Sequence, residues 1–133
     1  LIIIMTDSAS LTFNKRERIV SRKLIEQLFS QGSSHSTSAY PLRIVYMQTE
    51  RDTVPVQILV SVSKRHFKHA VKRNRVKRQI REAYRHHKQL LTEKVPEDKS
   101  LAIAFIWLSD ELHSSRQVGN SVRRLLEKVA DSL

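Results

Sequence analysis

The chain has 133 residues, which is enough for one domain with a real core, and 40% of them are hydrophobic. It has no cysteine, which excludes disulfides, thiolate metal sites and cysteine nucleophiles, and its two glycines are too few for a glycine-rich phosphate loop. No apolar run is long enough to span a bilayer, so no membrane partner is expected. The formal net charge of +11 predicts a polyanionic partner, and the lack of cysteine suits a reducing cytoplasm, where we expect the protein to reside.

The N-terminal residues 1–11 are expected to be disordered or added by cloning, and residues 12–133 are expected to form a single domain. The apolar residues 1–4 lack the basic flank and the small-residue cleavage site of a signal peptide. Met5 is therefore interpreted as lying near the natural start.

The first predicted helix covers about residues 21–31, with Ser21 as its N-cap, apolar residues at helical spacing and Gly32 as its stop. The serine- and threonine-rich residues 32–39 predict a loop. Residues 40–48 and 56–63 are apolar and rich in β-branched side chains, with a polar turn between them, and this pattern predicts an antiparallel hairpin.

The next segment, residues 64–88, holds eleven lysines and arginines and one acidic residue, Glu82, so it carries +10 of the formal +11. Its period is helical, and one stripe of that helix is apolar: Val76, Ile80, Ala83, Tyr84, His87 and Leu91. The opposite side is cationic: Asn74, Arg78, Arg81 and Arg85, flanked by Lys77 and Lys88. Because like charges along one side repel each other, this face implies a polyanionic partner.

The last part of the chain adds a strand and a helix. A break at residues 96–98 precedes the almost purely apolar residues 101–107, which are typical of a strand covered on both faces. An amphipathic helix over about residues 114–130 closes the chain. The order α-β-β-α-β-α predicts an α+β fold, in which a small sheet packs against helices.

The kind of polyanion follows less directly from the sequence. A major-groove reader usually has a helix-turn-helix or a zipper, whereas a helix beside a sheet in one compact domain favours structured RNA. A structural RNA-binding protein of ribosomal type and a DNA-binding regulator both stay open at this point.

Neither a catalytic nor a metal-binding set emerges from the sequence. Four of the six histidines lie in the basic segment, where cations disfavour a metal, and His66 and His69 are interpreted as facing nucleic acid or solvent. The acidic residues are scattered, and no pair is placed for two-metal phosphodiester chemistry. Phe29 is interpreted as a core residue, with a stacking platform as the alternative, and Trp107 as a core residue.

Three stretches of the chain together carry a family resemblance. They are Lys68-x-Ala70-Val71-x-Arg73-Asn74-Arg75-Val76-Lys77-Arg78-x-x-Arg81-Glu82-Ala83, Phe13-x-Lys15-x-x-Arg18-Ile19, and Leu28-Phe29-x-x-Gly32. At this spacing the chain resembles the protein subunit of bacterial ribonuclease P, over roughly residues 12–129. Two positions depart from the family pattern: Leu59 stands where a glycine is usual, and Ile25 where a phenylalanine is common.

The resemblance implies a fold, a function and partners. The fold would be α-β-β-β-α-β-α with a left-handed β-α-β crossover, and the additional strand would lie within residues 40–57. The protein would be the cofactor of a catalytic RNA that cleaves the 5′ leader from precursor tRNA, so its partners would be ribonuclease P RNA and precursor tRNA. No obligate protein partner is expected. The protein would bind no cofactor by itself, and Mg²⁺ would come with the RNA subunit.

The resemblance also implies two RNA-binding surfaces within a single domain of this type. The surface for the catalytic RNA would comprise Lys64, Arg65, Lys68, Lys72, Arg73, Asn74, Arg75, Lys77, Arg78, Arg81 and Arg85. A cleft between the sheet and the first helix would hold the leader, with Phe13, Lys15, Arg18 and Phe29 around it. Chemistry would belong to the RNA, so no residue of the protein is expected to be catalytic.

Overall fold

A computed structural model describes residues 15–30, 32 and 34–133, so the predictions for residues 1–11 and for Phe13 lie outside the described residues. A short 3₁₀ turn, Lys15–Glu17, comes first. The helices are α1 (Arg22–Phe29), α2 (Ala70–His87), α3 (Gln89–Thr92) and α4 (Ser115–Ser132). The strands are β1 (His35–Ala39), β2 (Leu42–Glu50), β3 (Val56–Ser61) and β4 (Lys99–Trp107). The α+β class is confirmed.

The sheet has the order β1-β2-β4-β3, so β4 lies between β2 and β3. It pairs antiparallel with β2 and parallel with β3, which makes the sheet mixed. The predicted hairpin of residues 40–48 and 56–63 is therefore wrong. The apolar strand β4 displaces that pairing because its side chains need cover on both faces, which only an inner position provides.

The predicted loop at residues 32–39 is also wrong over most of its length, because residues 35–39 form the edge strand β1. This strand is the fourth one that the resemblance implied, and it lies before residues 40–57. It pairs antiparallel with β2, from His35 opposite Tyr46 to Ala39 opposite Leu42. Polar side chains suit an edge strand, since they need little burial and discourage pairing with another chain.

Helices α2 and α4 cover one face of the sheet. The periodic stripe predicted for the basic helix is confirmed, because Val76, Ile80 and Tyr84 are fully buried there. The Tyr84 ring meets Phe105 of β4 edge to face, with the ring centroids 6.2 Å apart. Helix α4 adds its own apolar stripe, and its N-terminus is closed by a capping box between Ser114 and Gln117.

Helix α1 covers part of the opposite face. The Ser21 hydroxyl accepts a hydrogen bond from the Leu24 N–H, so the predicted N-cap is confirmed. Fully buried Leu28 packs with Val45 of β2 and with Ala102 and Ala104 of β4. These small alanines let the helix lie close to the sheet. A helix of eight residues covers only part of that face, however, and a groove remains beside it.

The connection from β3 through α2 to β4 joins two parallel, adjacent strands. It is the β-α-β crossover that the resemblance implied, and its left-handed sense stays a prediction. Within the part of the chain that the structure describes, no helix is long and apolar enough to cross a membrane.

A buried ion pair ties the start of the described chain to the end of the basic helix. The Lys88 ammonium donates to both carboxylate oxygens of Glu17, at 3.0 and 3.2 Å, and the two residues are 6% and 7% exposed. Lys88 was predicted to flank the cationic face, and that prediction is wrong. It follows the last residue of α2, where the 3₁₀ turn closes over it.

This pair generates a stability prediction. Replacing Lys88 with Met leaves the Glu17 carboxylate buried without this ammonium, which we expect to cost about 3–5 kcal/mol of the free energy of unfolding. The double variant Glu17→Leu/Lys88→Met should regain most of that loss. Urea unfolding measures all variants, and Arg123→Ala is the control. It removes an exposed contact of 3.5 Å to Glu127, whose loss should cost less than about 1 kcal/mol. Equal effects at the two sites would contradict the argument.

Candidate nucleic-acid interface

The cationic side of α2 forms one wall of an open groove. Asn74, Arg78, Arg81 and Arg85 line this groove together, as the helical period predicted. The structure adds Arg18 to the set, and Glu82 lines the groove as well. We call this site the cationic groove. Its guanidinium groups can bind phosphates with paired, charge-assisted hydrogen bonds.

Arg18 reaches the cationic groove because its segment runs along β3. The Ile19 N–H donates to the Ile58 carbonyl at 2.9 Å, and Arg18 forms a parallel bridge with Ile58. Burial, with a further contribution from Arg18, lowers the pKa of the Arg81 guanidinium from its ordinary value. Arginine stays charged in proteins. The lowered pKa therefore reflects mainly the partial removal of water from the Arg81 guanidinium, with a smaller repulsion from Arg18, and a bound anion would offset both.

Glu82, the one acidic residue of the basic segment, holds Arg85 in place. The Arg85 guanidinium donates to both carboxylate oxygens of Glu82, and the His86 ring lies 3.1 Å from one of them. The hydrogen bonds from Arg85 are the main reason that the pKa of Glu82 is lowered. The pair orients the Arg85 guanidinium in the cationic groove.

Arg73 points away from the cationic groove. Its guanidinium donates to the carbonyls of Phe67 and Lys68, at 2.9 and 2.8 Å, and so holds the segment that leads into α2. The sequence contained the signal: Arg73 lies seven residues, or two helical turns, before Ile80, and therefore on the buried side of the helix. Arg73 therefore stabilises the segment before α2 and does not line the cationic groove.

The remaining predicted cations surround the start of α2. Lys64, Arg65, Lys68, Lys72 and Arg75 are exposed, and Lys77 is half-buried. They extend the positive surface beyond the cationic groove, as a partner with many phosphates requires.

His66 does not face nucleic acid or solvent, so that interpretation is wrong. Its side chain is 10% exposed, and its Nδ1 lies 2.6 Å from a carboxylate oxygen of Asp110. Residues 62–69 follow β3 and residues 108–114 follow β4. Because these strands are parallel, their carboxyl ends meet at the same end of the sheet, and the contact between His66 and Asp110 joins the two segments there.

A second groove lies between α1 and the sheet. Phe29 lines it with Ser36, Arg43, Val45 and Ile106, and Phe29 is 47% exposed, so the interpretation of Phe29 as a core residue is wrong. The Arg43 guanidinium donates to the Ser36 hydroxyl at 3.4 Å across the strand pair. We call this site the aromatic groove.

The structure divides the residues predicted for the leader cleft. Phe29 lines the aromatic groove, Arg18 lines the cationic groove, and Lys15 is exposed on the 3₁₀ turn. Sequence reasoning missed Arg43 and Ser36, which come together only through the pairing of β1 with β2. Their signal was the alternation of β2, in which Arg43 and Val45 face the same side.

The fold and the charge distribution define a nucleic-acid-binding protein of the α+β class. The family model described as Ribonuclease P matches residues 13–130. The ribonuclease P protein component of Porphyromonas gingivalis strain ATCC 33277 is 40% identical over 131 residues, covering 97% of this chain and 94% of the relative. The chain belongs to the ribonuclease P protein family.

Solved structures show the same fold. The ribonuclease P protein from Thermotoga maritima has a TM-score of 0.66 at 20% identity, covering 85% of this chain and 97% of that one. A Staphylococcus aureus RNase P protein mutant, described as having defective mRNA degradation activity, has a TM-score of 0.65 at 24% identity. It covers 88% of this chain and 90% of its own.

The different orientations of two arginines generate a prediction. Arg78→Ala should flatten the slope of log K against log salt for a folded RNA by about one unit, because one phosphate contact is lost, and it should leave stability unchanged. Arg73→Ala should instead lower the free energy of unfolding by about 1–3 kcal/mol, since two hydrogen bonds from a charged donor are lost. Salt-dependent RNA binding and urea unfolding of both variants make the comparison. The reverse pattern would contradict the assignment.

Proposed function

We propose that this chain is the protein cofactor of a catalytic ribonuclease P RNA and promotes the 5′ maturation of tRNA. In this role it binds the RNA subunit through the cationic groove and the 5′ leader of precursor tRNA through the aromatic groove. One observation supports this proposal more strongly than the others. Nearly all of the net charge lies on one segment, whose helix buries its apolar stripe and turns its cations outward.

The cationic groove suits a folded RNA that is recognised by its backbone. Arg18, Arg78 and Arg81 come from two separate segments of the chain, so their spacing is fixed by the fold. Guanidinium groups bind phosphates without reading bases, and Asn74 adds a directional amide among them. This combination fits a partner of fixed shape.

The aromatic groove suits an extended single strand. Half-exposed Phe29 offers a ring for base stacking, and Arg43 offers a cation for the adjacent phosphate. The groove runs over an open sheet face with small side chains, such as Ser36, which leaves room for bases. Lys15 and the undescribed Phe13 remain candidates for the same strand.

The chemical step is assigned to the RNA and its Mg²⁺. Within residues 15–30, 32 and 34–133, no three histidine or acidic side chains converge as metal ligands. The protein contributes binding and orientation: it brings the leader and the catalytic RNA together and offsets their mutual repulsion. We place this work in the cytoplasm. Membership of the family favours the role as a ribonuclease P cofactor over a structural role in the ribosome.

The experiment that tests the function is the processing of a precursor tRNA by a bacterial ribonuclease P RNA at low Mg²⁺. Adding the protein should raise the rate of 5′ cleavage, since protein cations replace part of the charge screening that Mg²⁺ gives. The combined variant Arg78→Ala/Arg81→Ala, checked for folding, is the control and should stimulate much less. Equal cleavage with and without the wild-type protein would refute the proposal.

Phe29 tests the aromatic groove separately. In the assembled complex, Phe29→Ala should weaken binding of precursor tRNA by about 1–3 kcal/mol, the contribution of one stacked base, and leave mature tRNA unaffected. Phe29→Tyr should bind as wild type does. Val20→Ala is the control, because Val20 is 87% exposed just before α1 and does not line this groove. Equal weakening of both tRNAs, or unfolding of Phe29→Ala, would exclude the role.

A further inference from the structure

A third groove lies between helices α2 and α4, on the other flank of α2 from the cationic groove. It is lined by His86 and His87 of α2 and by Ser115, Arg116 and Gly119 of α4. Neither of the two RNA contacts proposed above uses it. We call this site the interhelical groove.

Only the outer ridge of α2 separates the interhelical groove from the cationic groove. Glu82 lines both of them, and each groove follows one flank of the helix from there. An α-helix with its side chains is about 10–12 Å across. An RNA bound in the cationic groove therefore comes within about one helix width of the interhelical groove, and a second strand of the same folded RNA can reach it.

The second flank of α2 carries cations of its own. Arg75 lies four residues before Gln79, which lines the interhelical groove, and Lys72 lies three residues before Arg75. The helical period places all three on this flank, and both cations are exposed. The positive charge of α2 is therefore not confined to the side of Arg78.

Arg116 adds a cation from α4, the other wall of the groove. It is exposed, and none of the salt bridges among the described residues involves it. The acidic residue of the groove, Glu82, is already paired with Arg85 and His86. The rings of His86 and His87 offer further donors, since an imidazole keeps an N–H in either protonation state. The groove thus presents a guanidinium that no internal carboxylate compensates, which suits a phosphate.

Small residues keep the interhelical groove open. Ala83 of α2 and Gly119 of α4 both line it, and a Cβ at position 119 would meet nothing within 4 Å. Glycine is unfavourable in a helix interior, and close packing of the two helices does not require it here. The space beside Gly119 is therefore available to a partner.

We propose that the interhelical groove binds a second strand of the catalytic RNA, with Arg116 contacting one of its phosphates. Helix α2 then lies between two strands of one folded RNA, the first of them in the cationic groove. This inference rests on the proposed function and extends the RNA-binding surface to α4. It accounts for the presence of cations on both flanks of α2.

The first test measures binding of the catalytic RNA to the full chain over a series of salt concentrations. Arg116→Ala should lower the affinity roughly tenfold and flatten the slope of log K against log salt by about one unit, because one phosphate contact is lost. Arg124→Ala is the matched control, since Arg124 is exposed on the same helix and does not line the groove. Its effect should be clearly smaller. Equal effects of the two variants would overturn the inference, because they would report only the lost net charge.

Gly119 tests the groove without the removal of a cation. Gly119→Gln and Gly119→Glu place side chains of equal length in the open space, and both residues favour a helix. The glutamate variant should bind the RNA at least about tenfold more weakly than the glutamine variant, since its carboxylate repels a phosphate there. Arg124→Gln and Arg124→Glu, the matched pair outside the groove, should differ much less. Equal differences at the two positions would contradict the proposal, and melting curves check that each variant folds.

A cleavage experiment identifies the strand directly. The chain has no cysteine, so a single introduced cysteine can carry an iron chelate that cuts nearby RNA. Asn120→Cys places the chelate about one helical turn after Arg116, and Lys77→Cys places it about one turn before Arg81. The strongest cuts from the two positions should fall on different strands. No cuts from position 120, or cuts on the same strand as from position 77, would overturn the inference.

These results are separable from those that test the proposed function. If Arg78→Ala weakens binding of the catalytic RNA while Arg116→Ala and Gly119→Glu do not, this inference alone fails. If none of the three variants weakens binding, the RNA-binding role of α2 fails with it.

Discussion

Strand β4 must be covered on both faces, and the arrangement of the other elements follows from that requirement. Its inner position separates β2 from β3 and leaves β1 and β3 at the edges. Two layers are then needed, and they are unequal: α2 and α4 cover one face, while α1 has eight residues for the other. The aromatic groove is one part of that face that α1 leaves uncovered. The groove is thus a consequence of a short helix on a two-sided sheet.

The cationic surface depends on how α2 divides its charges. Residues near the groove face outward because Val76, Ile80 and Tyr84 take the inward positions. Two basic residues of the same segment have internal roles instead. Arg73 holds the chain before the helix, and Lys88 binds Glu17 after it. Both ends of the helix are therefore fixed by side chains that a charge count would assign to RNA. Fixing the ends matters, because spacing between guanidinium groups decides which phosphates they can reach together.

The parallel pairing of β3 with β4 has a second effect at the carboxyl ends of these strands. It brings together residues 62–69, which carry exposed Lys64, Arg65 and Lys68, and residues 108–114. His66 and Asp110 join them, and Gln79 of α2 donates to the His113 carbonyl at 3.1 Å. The basic entry to α2 is therefore held against the segment that follows β4.

The sequence by itself determined the class, the helices α1, α2 and α4, and the cationic face of α2. These follow from short-range periodicity, since a helix repeats every 3.6 residues whatever lies around it. It also predicted β4 as a strand covered on both sides. Strand pairing was decided by the tertiary structure. Which apolar strand takes the inner position depends on how all the helices and strands pack together. For the same reason the sequence pattern assigned β1 to a loop, and the family resemblance grouped Arg18 with Phe29. The site residues it missed, Arg43 and Ser36, meet across paired strands, and the roles of Lys88, Arg73 and His66 depend on partners distant in the chain or on the turn into a helix. Local pattern fixes which side of an element a residue takes, whereas only packing decides what that side meets.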